Sequence, residues 1–188
     1  MNDIKYNFTP RDIAVYLLFD DTPYRRRKYV VEDLFKNHNS SIEYSYRTNF
    51  SNFVSAVHDL MIRMESDTET LNEVSVILSE INEHKTCKSI YQHDYFGSYF
   101  KLIKLQLMYS EISYRKIKLK NLIKNFGYKR RSAALINNIN RTLNALDLIP
   151  YLKDHKTCDL HKIKLDDMIM IRLADNKHNS NDSIIHQQ

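Results

Sequence analysis

Apolar positions recur at helical spacing along most of the chain. Thr9-Pro10 precedes the apolar run RDIAVYLLF, so a helix is expected to begin at residue 10, with Thr9 as its N-cap and proline in the first turn, where its missing N–H costs nothing. Asp20-Asp21-Thr22-Pro23 ends that helix and opens a second, YRRRKYVVEDLF, which sets Tyr29, Val30, Leu34 and Phe35 near one face. Residues 37–48 are polar and loop-like, with a short strand expected at Ile42–Tyr46. From Phe50 to Met64 the residues Phe53, Val54, Val57, Leu60, Met61 and Met64 recur at three and four, the signature of an amphipathic helix. Ser66-Asp67-Thr68 breaks it and caps another, expected to run to about Glu83 with Leu71, Val74, Ile77, Leu78 and Ile81 inward, the two forming an antiparallel pair. From Tyr91 the pattern turns aromatic, through Tyr95, Phe96, Tyr99 and Phe100, and continues as a helix to about Ile112. Such a stripe reads as core or a dimer contact before it reads as a base-stacking platform.

Composition agrees with a mainly α chain. Two glycines and three prolines in 188 residues supply few forced turns, which disfavours a sheet-rich fold with many tight hairpins. The length suffices to bury a core without staples. With two cysteines, Cys87 and Cys158, and no apolar leader after Met1, reduced thiols in a cytoplasmic protein are expected, and no apolar window is long enough to suggest a membrane span.

Charge changes the picture more than composition does. The net charge is +5, yet residues 101–150 alone carry +9, leaving −4 for the rest; between Glu111 and Asp147 there is no acid at all. A positive segment inside a slightly acidic protein is the footprint of a phosphate-binding face, and a solvated lysine-rich surface is the bland alternative. A smaller basic cluster, Arg25, Arg26, Arg27 and Lys28, crowds the first turn of the second helix against its dipole; the carboxylates of Asp20 and Asp21 explain it most simply, an anionic partner otherwise.

Inside the positive segment, residues 114–152 read YRKIKLKNLIKNFGYKRRSAALINNINRTLNALDLIPYL. Glycine enters the left-handed conformation without strain, so a helix over Lys116–Phe126 can end at Gly127 and Ser132 can cap the next. Leu122, Phe126, Tyr128 and Ile136 then fall where two helices lock across a short bend. Along the second helix Leu135, Ile136, Ile139, Leu143 and Leu146 form an inward stripe, leaving Asn137, Asn140, Arg141 and Asn144 outward, residue types that can read adenine and guanine edges. Lys129, Arg130 and Arg131 precede it as phosphate contacts, with Ser132, Lys116 and Lys120 completing the candidate nucleic-acid-binding set. The stretch resembles the winged helix-turn-helix superfamily. That resemblance implies a β-hairpin after the second helix, for which His161–Leu165, turning at Asp166-Asp167 into MIMIRL, is the expected source.

Two further observations bear on chemistry. His84-Lys85-Thr86-Cys87 recurs as His155-Lys156-Thr157-Cys158, and the four residues His84, Cys87, His155 and Cys158 would make a tetrahedral zinc set if the fold united them; chance repetition is the stronger explanation, and no cofactor is expected. No glycine-rich phosphate loop is possible with Gly97 and Gly127 alone, and no nucleophile–base pair or metal carboxylate set stands out, so an enzyme is not expected. The expected organisation is an N-terminal helical bundle over 1–112 for dimerisation or partner binding, a winged helix-turn-helix with a small β-hairpin over 113–174, and a disordered polar tail over 175–188. The expected function is binding of DNA, with RNA as the other nucleic acid, by a homodimeric regulator or accessory factor. The rival is a helical adaptor whose basic segment meets an acidic protein.

Overall fold

The computed structural model describes residues 6–19, 23–66, 95–153, 156 and 158–174. Asp20 and Asp21, the expected helix to Glu83, Tyr91, residues His84, Cys87 and His155, and the 175–188 tail lie outside them. The described residues form six α-helices and a small three-stranded antiparallel sheet. In chain order these are α1 (Pro10–Phe19), α2 (Tyr24–Asn37), α3 (Phe50–Ser66), α4 (Tyr95–Tyr109), β1 (Arg115–Lys118), α5 (Leu119–Asn125), α6 (Ala133–Ala145), β2 (Leu148–Tyr151) and β3 (Met168–Leu173). None of these helices is long and apolar enough to cross a membrane.

The start of α1 is the expected cap in full. Thr9 Oγ1 accepts from the Asp12 amide, and Asp12 Oδ2 accepts from the Thr9 amide at 2.9 Å, so two orphan donors of the first turn are satisfied reciprocally. Beyond the cap, α1 is apolar on every side: Ile13, Ala14, Val15, Tyr16 and Leu17 are all buried, because α1 is sandwiched between α3 and α4. Lys101 of α4 reaches Asp12 at 3.0 Å with both side chains nearly dry, tying α1 to α4. In α3 the buried stripe is Phe53, Val57, Met61 and Met64, at the spacing expected.

Helix α2 departs from expectation in its inward face. Val30, Val31 and Leu34 are buried, whereas Tyr29 is 60% exposed, its ring edge-on to Tyr109. Its basic first turn finds internal partners: Arg26 donates to the carbonyl of Tyr109, and Arg27 meets Glu65 at 3.7 Å. The strand expected at Ile42–Tyr46 is instead a single bridge between Phe8 and Ile42 followed by a 3-10 turn at Tyr44–Tyr46. Arg47 caps this loop by donating to the carbonyls of Ile42 and Ser40.

Helix α4 ends at Tyr109, three residues short of the expected Ile112. Its aromatic stripe is core: Phe96 stacks on Phe126 at 4.2 Å between centroids, and Tyr99 and Phe100 close around the same ring. Because α4 packs on α1 on one side and on α6 and β3 on the other, the buried apolar residues from Phe8 to Ile171 form one continuous core.

The largest correction falls at Lys116–Phe126. Residues Arg115–Lys118 are a strand, and the helix begins only at Leu119. Ile117 pairs with Ile169 of β3 and enters the core between outward lysines, a half-buried strand's alternation, and the fixed ladder outweighs local helical propensity. The sheet order is β1-β3-β2, with β3 central. The expected strand at His161–Leu165 is also absent. That stretch is a series of turns inside the loop joining β2 to β3, held by Asp159 Oδ1 accepting from the His161 amide and Asp167 Oδ2 accepting from the Lys164 amide. The hairpin strands are β2 and β3, so MIMIRL is a strand as expected but its partner is LIPY.

Candidate nucleic-acid interface

The two helices flanking Gly127 are set by backbone geometry that can be followed bond by bond. Gly127 has φ of 78°, its N–H donates to the carbonyl of Lys124, and the Tyr128 N–H reaches back to the carbonyl of Ile123. This pair of bonds ends α5 in a Schellman motif, which needs a left-handed residue at the glycine position. Five residues later Ser132 Oγ accepts from the Leu135 amide and starts α6. Tyr128, expected to help lock the bend, is 44% exposed; Phe126 carries the packing there.

On α6 the expected inward stripe is buried throughout: Leu135, Ile136, Ile139, Leu143 and the capping Leu146, joined by Thr142. The opposite arc is polar and short. Asn137, Asn138, Arg141 and Asn144 are exposed, Asn140 is half-buried at the edge, and Ala133 and Ala134 leave the first turn low in profile. No acid lies on α6 or in the loop before it, where Gly127 to Ser132 are all exposed. Among the described residues, Lys129, Arg130 and Arg141 have no ion-pair partner.

The remaining residues of the set have other places. Arg131 is exposed, but its guanidinium donates to the Ile163 carbonyl at 2.6 Å, so it holds the β2–β3 loop against the start of α6. Ser132 spends its hydroxyl oxygen on the cap. Lys120 pairs with Asp166 at 2.5 Å, and this ammonium holds the Asp166 carboxyl below its ordinary range. Lys116 lies in β1 on the side away from Ile117 and the core, hence, among the described residues, on the other face of the sheet from α4 and α6. His161, absent from the expected set, comes to the α6 face: its Nε2 is 3.0 Å from Asn137 Oδ1. A histidine 24 residues distant in a loop gives no sequence signal for such a contact.

Lys162 is within 3.4 Å of Asp159, and Asp166 pairs with Lys120, so the loop adds no unpaired charge from these groups beside Lys129, Arg130 and Arg141. Of the zinc set only Cys158 is described. It is half-buried, and burial, with help from the Asp159 charge, pushes its thiol up to about 11. Among the described residues no three potential ligands cluster.

The geometry therefore offers a narrow, acid-free helix face flanked by an exposed cationic turn and the β2–β3 loop. No protein-family model, curated protein or solved structure matches this chain.

Proposed function

We propose that this protein binds double-stranded DNA through α6, within a winged helix formed by residues 95–174. The observation that carries the reading is the exposed arc Asn137, Arg141 and Asn144, free of acids, directly behind Lys129 and Arg130. Support for the winged arrangement comes from the glycine-turned α5–α6 pair followed by the β2–β3 hairpin with its long loop.

The physics favours a B-form duplex. A helix of 13 residues is roughly 20 Å long and, with side chains, about 10–12 Å across, which fits a major groove about 12 Å wide. The deep, narrow major groove of duplex RNA excludes it. Lys129 and Arg130 neutralise phosphates at the groove's edge, Arg131 fixes the β2–β3 loop beside the helix, and Asn137, Arg141 and Asn144 present side-chain amides and a guanidinium to base edges. The adaptor alternative needs an acidic protein surface and gives the asparagines no task.

Fluorescence anisotropy of the full chain with a labelled 20-base-pair duplex tests this. Binding at low salt is expected with Kd on the order of 10⁻⁵ M or tighter, and K129E/R130E/R141E is expected to weaken it more than tenfold and to flatten its salt dependence. Where a preferred sequence emerges from selection, alanine at Asn137, Arg141 or Asn144 reduces discrimination more than overall affinity. Absence of duplex binding at low salt, or unchanged binding by the triple variant, overturns the reading.

A further inference from the structure

The sheet has a second face that the α6 reading does not use. Ile117, Ile169, Ile171 and Leu148 point into the core, so the residues between them point the other way: Lys116 and Lys118 on β1, Met168, Arg172 and, buried between its neighbours at 7% exposure, Met170 on β3, Ile149 and Tyr151 on β2. Tyr114, one residue before β1, continues this outer set and is 38% exposed. The guanidinium of Arg172 lies over the Tyr114 ring at 5.5 Å and over the Tyr151 ring at 5.8 Å. Two rings and a cation are thereby held across all three strands. Arg172 Nε is buried with no hydrogen-bond partner among the described residues. The three strands themselves carry no acid; Asp166, just before β3, pairs with Lys120 and lies within the field of Lys118.

We propose that this outer sheet face binds a short stretch of single-stranded nucleic acid, at a site separate from α6. Three strand cations outnumber the one carboxylate near them, Asp166, which Lys120 already pairs, and the excess selects a polyanion. The tyrosine rings select among polyanions, because unpaired bases present π-faces that a paired duplex keeps stacked inside, and base–aromatic stacking tolerates any sequence. An acidic protein surface would satisfy the charges and leave the rings without a role. Strands about 4.8 Å apart and four residues long give a platform with room for about two nucleotides, in keeping with sheets that stack two or three bases. Arg172 sets the two rings and adds charge between them, while Lys116 and Lys118, two residues apart on one strand, line the backbone path. Lys116 thus belongs to this face and not to the duplex contact.

The test uses the full chain and labelled oligothymidylate dT12. The site predicts saturable binding with a log–log salt slope of about 2, from three cations at about 0.7 each on single strands. K116E/K118E weakens it at least tenfold, and Y114A/Y151A, which leaves every charge in place, at least fivefold; R130E/R141E leaves it within twofold. Duplex binding through α6 shows the opposite dependence, so the two readings fail separately. A second readout needs no variant: with ¹³C-methyl methionine, dT12 shifts the Met168 and Met170 signals and leaves Met61 and Met64 in place. The proposal is overturned by absent dT12 binding at low salt, by still Met168 and Met170 methyls, by Y114A/Y151A binding unchanged, or by polyglutamate competing as well as dT12.

Discussion

Arg131 donates from Nη1 to the Ile163 carbonyl at 2.6 Å, with the Leu160 carbonyl 3.4 Å from the same nitrogen, and so fastens the β2–β3 loop to the turn before α6. The rigid planar guanidinium aims this one nitrogen at both carbonyls, whereas a lysine ammonium keeps the charge on a flexible stem without that geometry. R131K is therefore expected to speed amide exchange in residues 160–164 and to lower duplex affinity about threefold or more, while R130K stays within twofold of the parent. Equal tolerance of lysine at both positions would make Arg131 an ordinary phosphate contact.

Asp12 accepts from the Thr9 amide, the Thr9 hydroxyl and Lys101 Nζ, all within 3.0 Å of one carboxylate oxygen. Removing one partner of such a dry pair strands the other, at a cost of about 3 kcal/mol. D12A should thus lower the melting temperature by roughly 6–12 °C. The double variant D12A/K101M should recover part of the loss, because it removes the stranded ammonium as well. Urea denaturation showing less than about 1 kcal/mol for D12A would mean that water reaches the pair.

A pH dependence follows from Asp33. Burial acts to raise its carboxyl, but hydrogen bonds from Tyr109 and Asn37, with the nearby His38, outweigh it and leave the group below its ordinary 3.8. A folded-state value below the unfolded one contributes stability that is present above about pH 4 and is lost as pH falls through the folded value. The slope of stability against pH below 4 should accordingly be shallower in D33N than in the parent. Burial, reinforced by this same contact, pushes the Tyr109 hydroxyl far above its usual range, so it donates to Asp33 throughout. Equal acid slopes in both proteins would remove Asp33 from this role.

At Gly127 the constraint is conformation and not space, since a Cβ there would meet nothing within 4 Å while φ stands at 78°. G127A should cost about 1 kcal/mol, and G127N less, because asparagine tolerates the left-handed region. Loss of equal size for both would point to a packing cause that the geometry does not contain.

How far the sequence reached depended on whether a segment's fate was decided locally. The stripes of α3 and α6, the Thr9 and Ser132 caps and the Gly127 turn are local, and each is found where spacing and residue type put it. KIKLKNLIK is ambiguous: Ile117 and Leu119 alternate as in a strand, and Leu119, Leu122 and Ile123 recur as in a helix. What divides it at Lys118 is pairing with β3, some fifty residues on. The alternation in HKIKL misled because Asp159 and Asp167 bend the segment through side-chain bonds to its own backbone, leaving Leu165 40% exposed. Within the candidate site, the outward asparagines and Arg141 were readable from helical period alone. The tasks of Arg131, His161 and Lys116 were not, because each depends on a loop or strand brought in from elsewhere.

Amide hydrogen exchange of the full chain with and without a 20-base-pair duplex locates the contact. The prediction is added protection confined to residues 128–145, with little change in α1, α2 and α3. Protection centred on those three helices, or none under conditions where the duplex is bound, would contradict recognition through α6.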